Sequence, residues 1–316
     1  MIECKIYNKR NYLDWENFID NSTNGTIFHY RRFIDYHEKP IFKDCSLMFY
    51  KKSRLLAVLP GAIIEKKFIS HPGTSFGSFV HNTKLSYSDA AQITKSFKNF
   101  IENNQFKQTQ LTMTPLVYNK SISNYIEFCL YNLSFNYGRL ELTNVININQ
   151  IEENVIIDFK KENRTAVRKA IKNNVIVQQS EKFDEFYSIL EKNLKLRHNV
   201  APTHTLKEII KIKKIFPDQI KLFTAEHENR VVAGVLNFIC NSQTILAFYI
   251  SHDEKFQEFR PLNLLFSEIF KWSKKNKYQF YDFGLFTNLG EPNISLAKFK
   301  ESFGAEGVFR KTMILG

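Results

Sequence analysis

The chain has 316 residues, of which 43% are hydrophobic and 24% are charged. A single core usually stops growing at about 250–300 residues, so we expect two domains, and the apolar content excludes a disordered chain. Lys and Arg outnumber Asp and Glu by 44 to 32, and the net charge of +12 favours anionic partners, unless it reflects only codon usage rich in Lys, Asn and Ile.

The four cysteines show no Cys-x-x-Cys spacing, which argues against a disulfide framework and a zinc site. The N-terminal residues lack the apolar region of a signal peptide, and no run of about 18 apolar residues is available to span a bilayer. We therefore expect a cytoplasmic protein with reduced cysteines, no metal and no transmembrane segment. Peripheral contact with a membrane is compatible with this expectation.

The first half of the chain indicates a β-hairpin followed by alternating helices and strands. Two apolar runs flank a short polar turn, as in a hairpin, and Ile93, Phe97 and Ile101 have helical spacing. The predicted elements are, in order, strands at 46–50 and 54–60, a helix at 89–103, a strand at 110–113, a helix at 122–133 and a strand at 139–142.

The second half repeats this order. The segment from Arg54 to Ala57 resembles the segment from Arg230 to Ala233, and each is the second arm of a predicted hairpin. The predicted elements are strands at 221–225 and 230–236, a helix at 261–275, a strand at 279–283, a helix at 295–303 and a strand at 308–314.

This repetition predicts an α+β fold built from two similar halves, 1–148 and 149–316. Helices and strands in mixed order favour helices packed on a largely antiparallel sheet in each half. The polar, Asn-rich stretch at 144–154 is the predicted join between the halves.

A predicted amphipathic helix at 160–173 follows the join. Lys161, Arg164, Arg168 and Lys172 recur at spacings of three and four, and Glu162 is the only acid among them. The pattern has two interpretations, a solvated helix face or a stripe that docks an anion.

Several segments of the second half resemble the Fem family of peptidoglycan-bridge enzymes and its wider acetyltransferase-like relatives. They are the basic helix at 164–175, the stretch at 196–202, the Tyr-Asp-Phe-Gly sequence at 281–284 and the stretch at 296–305. The Phe-Lys-x-x-Phe-Gly sequence from Phe299 to Gly304 is the most specific of these. Residues 25–29 and 70–77 of the first half also fit.

The resemblance implies that each half is a GNAT-like domain and that the protein is an acyltransferase. Fem enzymes move an amino acid from aminoacyl-tRNA to an amine of a peptidoglycan precursor, and relatives act as acyltransferases in surface-polysaccharide pathways. We therefore expect transfer of an acyl or aminoacyl group to an amine of a cell-envelope or surface-polysaccharide precursor, with no bound cofactor. The donor, aminoacyl-tRNA or acyl-CoA, remains open, and so do tRNA as a partner and a nucleotide-linked amino sugar as the acceptor.

One difference from the acyl-CoA enzymes of this fold concerns the acyl donor. Acyl-CoA enzymes of this fold bind the pyrophosphate with a glycine-rich loop ahead of a helix, through backbone N–H groups. The corresponding stretch here, from Gln257 to Asn263, lacks both glycines, and Pro261 has no N–H. The sequence therefore favours another donor, or CoA bound in a different way.

The resemblance also suggests site residues. Lys300, beside Phe299, is the predicted oxyanion or donor-phosphate contact, with a surface lysine as the alternative. Arg197 and His198 are predicted to bind an anionic acceptor, with a charge that complements the helix dipole as the alternative. The comparable acceptor-binding residues of the first half are His29, Arg31, Arg32 and Lys39, and the basic helix contributes Arg164 and Arg168.

Two strand residues are candidates for proton transfer. Asp282 is the predicted general base and Tyr249 the orienting hydroxyl, although a structural salt bridge would equally explain the aspartate. His204 and His252 are weaker candidates. A non-catalytic module that binds RNA through the excess positive charge is the remaining alternative function.

Overall fold

The computed structural model of the chain describes residues 1–37 and 41–316, and at positions 197 and 198 it describes the backbone alone. The predicted site residue Lys39 and the side chains of Arg197 and His198 therefore lie outside the described part. The described residues form two compact units, Met1–Leu142 with Phe309–Gly316, and Thr143–Val308. Among them, no helix is both long enough and apolar enough to cross a membrane.

The first unit contains the predicted hairpin and several further antiparallel and parallel strand pairs. Its elements are β1 (Ile2–Ile6), α1 (Tyr12–Asn21), α2 (Arg31–Ile34), β2 (Lys43–Asp44), β3 (Leu47–Lys51), β4 (Arg54–Leu59), β5 (Ala62–Ile64), β6 (Lys67–Ser70), β7 (Val80–His81), α3 (Tyr87–Asn103), β8 (Gln108–Thr112), α4 (Tyr125–Asn132) and most of β9 (Asn136–Asn147).

The strands of the first unit form two groups. One has the order β1-β3-β4-β7 and is antiparallel throughout. In the other, β2, β5 and β6 pair in antiparallel order and β6 runs parallel to β8. Helix α3, capped by Ser86, buries Ile93, Phe97 and Ile101, as its spacing predicts.

The second unit contains a longer run of strands. Its elements are α5 (Lys161–Lys172), β10 (Ile176–Ser180), α6 (Phe183–His198), α7 (Leu206–Ile215), β11 (Ile220–His227), β12 (Arg230–Ile239), β13 (Thr244–His252), α8 (Pro261–Lys275), β14 (Phe280–Leu285), β15 (Thr287–Asn288), β16 (Glu291–Pro292), α9 (Ile294–Glu301) and the start of β17 (Glu306–Leu315).

Strands β10 to β13 are antiparallel neighbours, β14 runs parallel to β13, and the end of β9 pairs with β14 in antiparallel order. Alternate residues of β12 face opposite sides of this sheet. Ala233 and Val235 belong to the core that α5 and α8 share, whereas Gly234 faces Phe186 of α6. Helices therefore cover both faces of the sheet, and the α+β prediction is confirmed.

Two segments differ from the sequence-based expectation. Residues 144–147 are the end of β9 rather than a polar join, because Val145 and Ile146 are buried between the asparagines. The last strand, β17, ends in the first unit, where Met313 enters the core and residues 312–315 pair with β8. Hydrophobic periodicity identifies such a strand but does not tell which sheet edge it joins.

We expect Gly234→Ala to destabilise the second unit. A Cβ atom at this position would lie 2.9 Å from Cε2 of the buried Phe186 ring, and overpacking of this kind costs roughly 1–3 kcal/mol. Urea unfolding of Gly234→Ala, Phe186→Leu and the double variant measures the effect. The double variant should lose less free energy of unfolding than the two single variants lose together. Strictly additive losses would contradict this packing.

Candidate active site

The strands β13 and β14 part after a short parallel contact. They pair from Thr244 to Leu246 on β13 and from Phe280 to Asp282 on β14, whereas β13 stays paired with β12 as far as His252. Within the described residues, the β14 side of β13 therefore has no strand partner after Leu246. A backbone edge of this kind can hydrogen-bond an extended ligand.

A β-bulge lies at the point where the strands part. Leu236 of β12 pairs with Tyr249, but the next residue, Asn237, pairs with Ala247, so Phe248 is the extra residue on β13. Its ring stacks on Phe238 with the centroids 4.1 Å apart. A bulge bends its strand and increases the local twist, which explains why β13 diverges here.

The end of β14 is a tight turn fixed by two charged side chains. Gly284 has a φ of +77°, a conformation that glycine adopts without strain. Its N–H donates to Oδ1 of Asp282, 2.7 Å away, and Thr143 donates its hydroxyl to the same oxygen. Nζ of Lys300 donates to the carbonyl oxygens of Gly284 and Leu285, at 2.7 and 2.8 Å.

These contacts place a buried positive charge at the opening. Lys300 is only 2% exposed, so its ammonium sits in a medium of lower dielectric constant than water, where its field is stronger. The alternative of a solvated surface lysine is wrong.

The start of helix α8 has few groups that could bind phosphate. Arg260 caps the helix in the left-handed conformation, Pro261 has no N–H, and the N–H of Asn263 donates to the Arg260 carbonyl. Glu254 and Glu258 line the adjacent depression together with Lys255 and Arg260. Two carboxylates beside a helix start with few backbone donors disfavour a pyrophosphate there.

The first unit has a separate cavity of about 730 Å³, a size typical of ligand sites. Its walls combine aromatic rings with charged groups, namely Tyr7, Phe33, Tyr36, His37, Phe42, His71, Lys9, Lys43, Arg31, Asp35 and Asp44. Burial and the nearby Arg31 guanidinium lower the pKa of His71 to about 4, so its imidazole is neutral at physiological pH.

Arg31 organises this cavity. Its guanidinium donates to Asp35 at 2.8 Å, to Asp44 at 3.2 Å and to the Ser46 hydroxyl at 2.9 Å, and it lies 4.2 Å from the centre of the Tyr7 ring. The attraction of the two carboxylates outweighs the effect of burial and raises the pKa of Arg31. The charge is therefore permanent and compensated, and it holds both carboxylates at the cavity wall.

Comparison with known proteins agrees with this geometry. Residues 158–293 match the sequence profile of the acetyltransferase (GNAT) domain family. The matched residues lie within the second unit, which therefore contains a GNAT-type domain. The match also confirms the prediction of an acyltransferase. No curated protein sequence matches the chain.

Solved structures extend the likeness to the whole fold. FemX is 13% identical, with a TM-score of 0.71 over 99% of this chain and 96% of that one. A tandem GNAT protein from the clavulanic acid biosynthesis pathway is 8% identical, with a TM-score of 0.57 over 100% and 98%. The C-terminal domain of a protein described as a lysylphosphatidylglycerol synthetase from Agrobacterium fabrum is 10% identical, with a TM-score of 0.57 over 83% and 81% of the respective chains. The predicted tandem GNAT-like fold is confirmed.

Two predicted catalytic residues of the GNAT domain, Asp282 and Phe299, make structural contacts. Asp282 is fully buried and accepts hydrogen bonds from Gly284 and Thr143, so it cannot reach a substrate amine in this conformation and fixes the turn instead. Phe299 packs against Phe303, with the ring centroids 5.2 Å apart, and belongs to the margin of the core.

Tyr249 lies next to the bulge of the GNAT domain and holds the loop before α7. Its hydroxyl accepts a hydrogen bond from the His204 N–H, and Tyr187 donates to the His204 carbonyl. Burial raises the pKa of Tyr249, so the hydroxyl stays protonated at neutral pH and suits orientation rather than proton abstraction. At His252, the carbonyl accepts from Asn193.

The basic helix of the GNAT domain presents a depression of about 310 Å³. Arg164 and Arg168 line it together with Lys161, Thr165, Asn154, Ile156 and Ile157. Among the described residues that line it, none carries a carboxylate. The structure thus brings the two predicted arginines together on one surface.

The first-unit predictions need two corrections. Arg31 lines the cavity, whereas Arg32 pairs with Glu16 at 3.1 Å and stacks on Tyr30. His29 is fully buried, accepts at Nδ1 from Thr26 and donates from Nε2 to the Gly77 carbonyl, so it fixes a turn and does not face a ligand. Alternation along so short a helix does not reveal which of two adjacent arginines points inward.

Sequence reasoning did not identify Gly284, Thr143, Tyr187 or the pair of Asp35 and Asp44 as part of the two sites. The Tyr-Asp-Phe-Gly sequence was a signal for Gly284, since a glycine after a buried strand often marks a turn. Thr143 gave no signal, because it reaches Asp282 from a distant segment of the chain.

We expect His29 to make stability pH-dependent. Burial lowers the pKa of His29 from 6.5 to about 4, so the unfolded chain binds its proton more readily than the folded one. The contribution of neutral His29 is complete above about pH 6.5 and is lost as the pH falls towards 4, by about 3 kcal/mol.

Urea unfolding of wild type and His29→Gln from pH 7.5 to 4 measures this effect. His71 titrates in both proteins, so most of its contribution cancels in the comparison. The stability difference between the two should shrink as the pH falls, and a difference that is independent of pH would contradict the assignment.

Proposed function

We propose that this protein transfers an acyl or aminoacyl group to an amine of a cell-envelope or surface-polysaccharide precursor in the cytoplasm. The observation that carries the proposal is the opening between β13 and β14 of a GNAT domain, with the buried Lys300 ammonium at its end. The four cysteines carry free thiols, which fits a reducing compartment.

The opening offers what acyl transfer to an amine needs. Reactants must be held together, and the carbonyl oxygen must be stabilised as it becomes an oxyanion. Backbone N–H groups of β13 beyond Leu246 are the proposed donors to that oxygen, and the bulge at Phe248 sets their direction. Lys300 is proposed to support them by fixing the turn and by adding its positive charge to the local field.

Aminoacyl-tRNA is the proposed donor, with acyl-CoA or an acyl carrier protein as the alternative. The start of α8, with Pro261 and the neighbouring Glu254 and Glu258, is poorly suited to a pyrophosphate. The likeness to FemX and to a protein described as a lysylphosphatidylglycerol synthetase supports an aminoacyl cargo.

The first-unit cavity is the proposed acceptor site. Rings such as Tyr36 and Phe42 suit stacking on a planar base, Lys9 and Lys43 suit phosphates, and Asp35 and Asp44 can accept hydrogen bonds from sugar hydroxyls. A nucleotide-linked amino sugar combines these features in one molecule. An assay of CoA thioesters and aminoacylated tRNAs against nucleotide-linked amines tests the proposal, and transfer from neither donor would refute it.

We expect Lys300→Met to lower turnover in that assay by up to about 10²–10³, the cost of losing one oxyanion-hole donor, because the variant loses both the fixed turn and the positive charge beside the opening. The variant should also speed hydrogen exchange at residues 284–289, since the Gly284 and Leu285 carbonyls lose their donor. Lys298→Met is the matched control, since Lys298 is exposed on the same helix. Near-wild-type turnover and exchange in Lys300→Met would discard the role of this lysine.

We expect no thermal stabilisation by free CoA. A ligand that binds only the folded state raises the melting temperature according to its concentration relative to Kd, so about 1 mM CoA detects even weak binding. Differential scanning fluorimetry with CoA and with a nucleotide-linked amino sugar provides the comparison. A rise of several degrees with CoA would move the proposal to the acyl-CoA alternative.

A further inference from the structure

The outward face of α5 carries uncompensated positive charge. Lys161, Arg168 and Lys172 are exposed and Arg164 is half-buried, and within the described residues none of the four forms a salt bridge. The inward face of the same helix packs Val167 and Ala170 into the core. The core therefore depends on the inward face, and the cations lie outside it.

Two large aliphatic side chains protrude beside these cations. Ile157 is 53% exposed, and its carbonyl accepts a long hydrogen bond of 3.5 Å from Arg164. Ile171 is 58% exposed and follows Arg168 by three residues and Arg164 by seven, which places it on the same face of the helix. The depression between the arginines is also lined by Ile156.

This combination distinguishes two anionic partners. A single-stranded nucleic acid is bound by cations together with aromatic rings that stack on bases, and among the described residues that line the depression none is aromatic. A bilayer surface is bound by cations that contact anionic headgroups and by aliphatic side chains that enter the boundary with the acyl chains. Protruding isoleucines among lysines and arginines match the second partner.

We propose that this face, formed by Ile157, Lys161, Arg164, Arg168, Ile171 and Lys172, docks the protein on a bilayer that contains anionic phospholipids. The cations bind the headgroups and the two isoleucines enter the interface. The proposal is independent of the transfer reaction, because it rests on a surface of the second unit and not on the opening between β13 and β14. It also gives Arg164 and Arg168 a partner other than a dissolved substrate.

Vesicle binding tests the proposal. The purified full chain is sedimented with vesicles of phosphatidylcholine alone and with vesicles containing 30% phosphatidylglycerol, at about 0.1 M salt. We expect binding to the anionic vesicles only. Arg164→Gln/Arg168→Gln should weaken it by roughly 20-fold, since each basic residue near an anionic surface contributes about fivefold.

The isoleucines provide the decisive comparison. Ile157→Ser/Ile171→Ser keeps every charge and should weaken vesicle binding at least fivefold, while binding to a single-stranded RNA oligonucleotide stays unchanged. Matched controls are Ile122→Ser/Leu196→Ser, which remove residues 89% and 65% exposed elsewhere, and Lys207→Gln/Lys214→Gln on exposed positions of α7. Circular dichroism confirms that each variant is folded.

Two results would overturn the proposal. One is failure of the wild-type chain to bind anionic vesicles. The other combines two observations. The isoleucine variant binds vesicles with wild-type affinity, and the arginine variant loses affinity for vesicles and for RNA in equal proportion. This result would identify the face as a polyanion site for nucleic acid.

Discussion

The proposed chemistry depends on the hydrogen bonds from the Lys300 ammonium to the carbonyls of Gly284 and Leu285. They tie α9 to the end of β14, while Asp282 fixes the same turn from its other side through the Gly284 N–H. Charge-assisted hydrogen bonds of this kind are about twice as strong as neutral ones. The turn leads β14 away from β13, and the bulge at Phe248 bends β13 at the same level. Without both features the parallel pair would continue, and its backbone groups would be satisfied within the sheet.

The first unit also contains a buried cation that fixes its neighbours. A buried guanidinium, Arg31, holds two carboxylates at the wall of a cavity, and its charge is compensated in place. Buried charges persist only when they are paired and hydrogen-bonded, and Arg31 meets this condition at the cavity wall. The second unit thus has an opening between two strands, and the first unit has an aromatic, charged cavity.

Much of the fold could be predicted from the sequence, because periodicity and turn chemistry are local. Helix α8 begins at Pro261 and ends at Lys275 as expected, and the hairpin β11–β12 follows its apolar runs. The path of β17 could not be predicted, since strand pairing is decided by distant partners. The candidate site was harder to predict, because its contacts also join distant parts of the chain. Lys300 and Asp282 were recognised, yet their common turn appears only when Gly284 is seen between them, and no sequence pattern distinguishes Arg31 from Arg32.

The central claim is that the acyl donor occupies the opening between β13 and β14. A crystal structure with a non-hydrolysable aminoacyl-adenosine amide would test it most directly. The account predicts that the amide carbonyl oxygen lies about 3 Å from a backbone N–H of β13 beyond Leu246, with the Lys300 turn intact. An analogue bound elsewhere, with the backbone edge of β13 still unoccupied, would contradict it.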